Sequence, residues 1–159
     1  AEGWARGIVA NMARPPEGGD RDQIRAVAAG ICDVAITNSY YFIRMESGED
    51  AADREIASGL RLAFPSLDGQ GSHVNISGGG VAANAPNRDN ALRLLEFFAS
   101  AEAQEHFARF NNEFPATPGI AAPAPVDRYA SFTAHPMPVA TFAARQPEAQ
   151  ALMRRAGWR

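Results

Sequence analysis

Residues 20–41 read DRDQIRAVAAGICDVAITNSYY, and this stretch decides the fold. Ile24, Val27 and Ala28 recur at helical spacing and give one apolar stripe of a short helix. Asp20 or Asp22 suits its start, and Gly30 the position just past its end. Cys32 to Ile36 then predict a short buried strand, and Thr37-Asn38-Ser39 carry side chains that can cap a second helix through Tyr40, Tyr41, Phe42, Ile43 and Arg44. Helix, strand, helix is the repeating unit of an open α/β sheet, whose ligand site usually lies where a strand ends and a helix begins. Asn38, Tyr40 and Tyr41 fall at that junction.

Outward from this unit, the pattern predicts a helix over Asp50–Ser58 stopped by Gly59, and a strand over Leu60–Phe64 ended by Pro65. A turn over 67–72 precedes a candidate strand, His73–Ile76, and the glycine run 78–80. Asn87 or Asp89 opens a helix with Ala91, Leu94, Leu95 and Phe98 on one face, and Ala101–Phe110 forms the second arm of a helical hairpin. Six prolines between Asn111 and Ala140 exclude a single helix there. A last helix is expected over Glu148–Ala156.

Composition removes many functions. With 159 residues the length allows one domain or two small lobes, and no apolar run approaches the ~20 residues that cross a bilayer. A net charge of −3 without a basic stripe argues against nucleic acid as a partner. All 15 cations are Arg, so no Schiff-base, Walker or general-base lysine exists. The single cysteine, Cys32, excludes an internal disulfide or a cysteine-held cluster, and beside an apolar run it reads as a buried thiol. His73, His106 and His135 lie about 30 residues apart, outside any paired metal spacing. Ala1-Glu2-Gly3-Trp4 lacks the charged start and apolar core of a signal peptide, which fits a cytosolic protein or a processed or partial chain.

Three segments remain as chemical candidates. Ser77-Gly78-Gly79-Gly80 lacks phosphate-loop spacing and reads more simply as a close-packed crossing. The loop Arg14–Asp20 frees glycine amides before a helix start, an arrangement that can bind an anion without lysine. Tyr40-Tyr41 alone would be ordinary core packing, but at a helix start the dipole and free amides favour phenolates. Two phenolate oxygens suit a hard, highly charged cation such as Fe(III). Asn38 and nearby amides could hold a small anion, carbonate or phosphate, that completes its shell.

Together these residues resemble the ferric-iron (Fe3+) substrate-binding proteins of bacterial ABC transporters. The resemblance is carried by Ala13–Gly18 with Asp20, by Gln23–Gly30, by Asp33–Ile36 leading to Asn38–Tyr41, by His73–Gly78, Ala85–Arg88, Leu94–Phe97 and Glu102–Gln104, and by Leu152-Met153 with Ala156–Arg159. It implies an α/β, two-lobe periplasmic binding protein (type II-like) fold of which this chain is the C-terminal half. Residues 1–75 would be a C-terminal-lobe segment bearing the tandem tyrosines, 76–121 a crossing strand and helical hairpin of the N-terminal lobe, and 122–159 a return segment with the last helix. The hairpin would then expose an apolar face unless another chain covers it.

By the same resemblance, Tyr40 and Tyr41 match tandem iron ligands and Asn38 an anion-holding residue, whereas Gly19 stands where many members carry Asn. The expected function is a periplasmic or lipid-anchored extracytoplasmic component of an ABC importer. It would bind ferric iron through tyrosine phenolates with a synergistic anion and deliver it to an inner-membrane permease, with further ligands from the missing N-terminal half. A protein of the same fold that binds a small organic or inorganic anion is the alternative reading. An enzyme or interaction module on this fold is disfavoured by the missing lysines and scattered histidines.

Overall fold

The computed structural model describes residues 1–66 and 68–158. Leu67, at the start of the expected turn, and Arg159, at the C-terminal end of the resemblance, lie outside them. The helices are α1 (Glu2–Ala10), α2 (Asp20–Ala28), α3 (Ser39–Ser47), α4 (Ala51–Ser58), α5 (Arg88–Phe98), α6 (Ala101–Asn111) and α7 (Val139–Ala156), with a 3₁₀ turn at Val126–Tyr129.

Helices α2, α3 and α4 pack together because each turns one apolar stripe inward. Ile24 of α2, Phe42 and Met45 of α3 and Ala57 of α4 form a buried cluster, against which Tyr41, Ile56, Leu60, Leu62 and Tyr129 close. Burying side chains of this kind stabilises by roughly 1.5–3 kcal/mol each. The largely buried Asp53 of α4 accepts from Arg25 Nη2 of α2 at 2.9 Å, so the charge on this packed face is paired. Asp50 caps α4 by accepting from the Ala52 amide at 2.9 Å. Helix α1 lies against α7, tied by Arg155 Nε donating to Glu2 Oε2 at 3.2 Å.

The expected strands are the main departure. Among the described residues no strand forms, and Cys32–Ile36, Leu60–Phe64 and His73–Ile76 run without a ladder. A helix satisfies its backbone within its own segment, but a strand needs a neighbour about 4.8 Å away. No described segment supplies one. The supposedly buried strand is therefore open: Val34 is 79% and Ile36 74% exposed, and Cys32 is only half-buried. A lone parallel bridge joins Ser72 to Ala134, with Ser72 N donating to Thr133 O and His135 N to Ser72 O, each at 2.8 Å. It depends on Gly71, whose φ is +114° and where a Cβ would sit 2.6 Å from Thr133 O.

Three further differences have local causes. Helix α7 begins at Val139, nine residues before the expected start, and continues through Pro147. That proline removes one amide donor without ending the helix. Helix α1 and the 3₁₀ turn occupy stretches where no element was expected. At the start of α2 the cap is Gly19, whose amide donates to Asp22 Oδ2 at 2.8 Å, while the Asp20 carboxylate turns away toward α3.

The helical hairpin matches expectation. Ser100 caps α6 by accepting from the Ala103 amide, and Leu94, Phe97, Phe98 and Phe110 leave an exposed apolar face. The glycine run passes close to it: a Cβ on Gly79 would lie 2.9 Å from Leu95 Cδ2.

Candidate functional site

The site forms where α3 begins. Asn38 is the residue before the first turn, and Tyr40 and Tyr41 occupy that turn with rings 4.4 Å apart at 37°. Adjacent helical positions diverge by about 100°, but long side chains at a helix start can swing together, as these do. Tyr41 also packs on the α2–α4 core, which anchors the pair from below.

Asp20 holds the start of α3 against the start of α2. Its Oδ1 accepts from Asn38 N at 2.7 Å, Thr37 Oγ1 at 2.9 Å and Asn38 Nδ2 at 3.3 Å. Asn38 Oδ1 in turn accepts from Asn75 Nδ2 at 3.4 Å, bringing the stretch after Ser72 to the start of α3. Asn112 ends α6 in a left-handed conformation with φ 60°, which turns Glu113 back; Glu113 Oε1 accepts from Ser77 Oγ at 3.3 Å.

These neighbours act on the Tyr40 phenol. A hydrogen bond to Tyr41 is the largest reason that Tyr40 is pushed up to about 12. Burial follows, then the charges of Tyr41, Asp20 and Glu113. The helix dipole, worth about 0.3–1 kcal/mol in favour of a negative group, does not reverse this. Tyr40 therefore keeps its proton at neutral pH.

The structure thus brings Tyr40, Tyr41 and Asn38 together. Sequence reasoning missed Asp20 as their link, along with Asn75 and Glu113. Asp20 carries a recognisable signal, an acidic residue at a helix start, but that signal is ambiguous between capping and cross-linking. Glu113 lies 73 positions from Tyr40, so only the fold pairs them.

The other candidates separate. His135 Nδ1 accepts the Met137 amide at 3.2 Å, the His106 ring lies tilted by 37° against Phe110, and His73 meets Phe142 edge-on. Among the described residues no group of three or more His, Cys, Asp or Glu could hold a metal ion. In the loop before α2 the Gly19 amide is already taken by Asp22, and Arg14 Nη2 donates to Gln23 Oε1 at 3.3 Å. A shallow hollow of about 500 Å³ lined by Arg14, Gly18 and Asp22 lies there, apart from the tyrosines. In this hollow the Gly19 amide offers no vacant donor, whereas the start of α3 gathers the two phenols and the Asp20 carboxylate.

The fold is that of a solute-binding protein. The chain belongs to the bacterial extracellular solute-binding protein family, whose sequence profile matches residues 9–134. It is 46% identical over 157 residues to Iron uptake protein A2 of Synechocystis sp., covering 98% of this chain and 45% of that protein. It is 27% identical over 134 residues to the Major ferric iron-binding protein of Neisseria meningitidis serogroup B, covering 84% and 39% respectively. Among solved structures, Trichodesmium IdiA (FutA) in complex with iron and citrate ligands superposes with a TM-score of 0.92 at 44% identity, over 99% of this chain and 50% of that one. The chain spans about half the length of the relatives it matches, and has the fold of half a two-lobed periplasmic binding protein. Its relatives are transport proteins of iron uptake, not enzymes.

Proposed function

We propose that this chain contributes Tyr40 and Tyr41 as phenolate ligands to ferric iron in a periplasmic binding protein, which delivers the ion to an ABC permease in the inner membrane. The observation that carries the reading is the pairing of the two rings at 4.4 Å at the start of α3. Hard oxygen donors of this kind favour a hard trivalent cation over soft metals. Relatives named for iron uptake and ferric iron binding, and a neighbour solved with iron and citrate, support the same cargo.

Asn38 is the place for a synergistic carbonate or phosphate beside the metal. The remaining ligands would come from a partner lobe, with residues 1–75 and 122–159 on one lobe and 76–121 crossing to the other. The unladdered segments and the exposed face of α5 and α6 support that division. Binding of an anion alone in the loop before α2 is the weaker reading, because Asp22 already takes the Gly19 amide.

Competition with a ferric chelator tests the assignment in the full-length protein. Tyr40→Phe and Tyr41→Phe are each expected to weaken iron binding by about a hundredfold or more, beyond the ~10–100-fold that loss of a group behind a ligand causes. Unchanged affinity in both variants would remove the tyrosines from the site.

A further inference from the structure

We infer that Glu113 is a specificity-determining residue of this site: anchored beside the tyrosines without ligating the ion, its carboxylate favours a trivalent over a divalent cation there. The inference deepens the iron-binding reading above and rests on it. Glu113 reaches the start of α3 only through the fold, and three observations fix it there. Asn112, buried at the end of α6, adopts a left-handed φ of 60° that turns the chain back. Glu113 Oε1 then accepts from Ser77 Oγ at 3.3 Å, and two residues before Ser77 the Asn75 amide donates to Asn38 Oδ1 at 3.4 Å. On the other side, Phe114 meets Phe132 edge-on at 5.2 Å and Phe64 at 6.1 Å, while Phe64 and Phe132 stack at 4.4 Å. Phe64 and Phe132 lie in the stretches assigned above to the lobe of the tyrosines. Glu113 is therefore half-buried and tied to the same lobe as Tyr40.

A carboxylate fixed near a cation but outside its ligand shell acts by charge alone. Coulomb attraction scales with the cation's charge, so removing the carboxylate weakens a trivalent ion more than a divalent one. The same charge opposes ionisation of the Tyr40 phenol, as do the charges of Tyr41 and Asp20, the other groups that act on it electrostatically. That opposition is common to every cation that displaces the same protons, and it cancels when two oxidation states of one metal are compared. What survives the comparison is a preference for the higher charge. The role assigned to Glu113 is thus selection through space, and Ser77 serves to hold it in place.

The test is the midpoint potential of iron bound to the full-length protein, with an electrode supplying one electron to Fe(III) and the tyrosinate-to-iron band reporting the oxidised form. Glu113→Gln keeps an acceptor for Ser77 but removes the charge. It should lower the preference for Fe(III) over Fe(II) by about threefold to tenfold, a tenfold change being a rise of about 59 mV. Glu113→Asp retains the charge and should stay close to the wild type. Ser77→Ala removes the hydrogen bond and leaves the charge, so it should shift the potential less than Glu113→Gln. Glu113→Ala should shift it as Glu113→Gln does, and it decides the matter should the amide variant not fold. A second readout needs no metal. In the iron-free protein carrying isotope-labelled tyrosine, the Tyr40 resonance, assigned by its loss in Tyr40→Phe, should titrate at lower pH in Glu113→Gln than in the wild type. An unchanged potential or an unchanged Tyr40 titration in Glu113→Gln, or an equal shift of potential in Ser77→Ala, overturns the proposal. Failure of the iron reading shows separately, as a wild type that develops no tyrosinate-to-iron band.

Discussion

A phenol becomes a good ligand only when it loses its proton, and Tyr40 keeps its proton tightly because of Tyr41, burial and the acidic side chains around it. Loading two phenolates should therefore release about two protons per ferric ion, and the affinity should rise by about tenfold per pH unit for each proton released near neutral pH. A pH-stat titration counts them. Tyr129 illustrates a structural use of the same effect. Burial, then its hydrogen bond to Glu46 Oε2 at 2.8 Å, push it from 10.0 to about 12. A phenol raised in the folded state favours folding fully below pH 10; that contribution fades as pH rises from 10 through about 12. Glu46→Gln should narrow this window, seen as a smaller loss of stability across it in urea titrations.

At the scale of elements, end signals decide which helices stand without help. Asp50→Ala removes the acceptor at the start of α4 and should lower stability by about 1 kcal/mol, measured by chemical denaturation. Gly71→Ala should loosen the Ser72–Ala134 bridge, because the φ of +114° and the Thr133 carbonyl both exclude a side chain. Helices α2 to α6 were legible from the sequence because caps and apolar spacing are local. The unladdered stretches were legible in composition but not in outcome: Val34 and Ile36 look like a buried strand, yet a strand exists only with a neighbour. Pro147 misled in the opposite direction, since the helix around it tolerates the missing donor. The tyrosine pair was readable from its position at a helix start, whereas Asp20 and Glu113 join it only through tertiary folding.

For the whole molecule, the chain spans about half the length of the relatives it matches, and α5 and α6 leave an open apolar face. Phe110 is 66% exposed and Leu94 51%, which is unusual for large apolar side chains on neighbouring helices. Residues 1–159 alone should associate in a concentration-dependent way, and Leu94→Glu with Phe110→Glu should reduce that association in sedimentation experiments. The most direct test of the central claim is optical titration of the full-length protein with ferric ion. The wild type should develop a tyrosinate-to-iron charge-transfer band that saturates at one ion, and the band should vanish when Tyr40→Phe and Tyr41→Phe are combined. A wild type without the band, or a double variant that retains it, would contradict the assignment of these tyrosines as iron ligands.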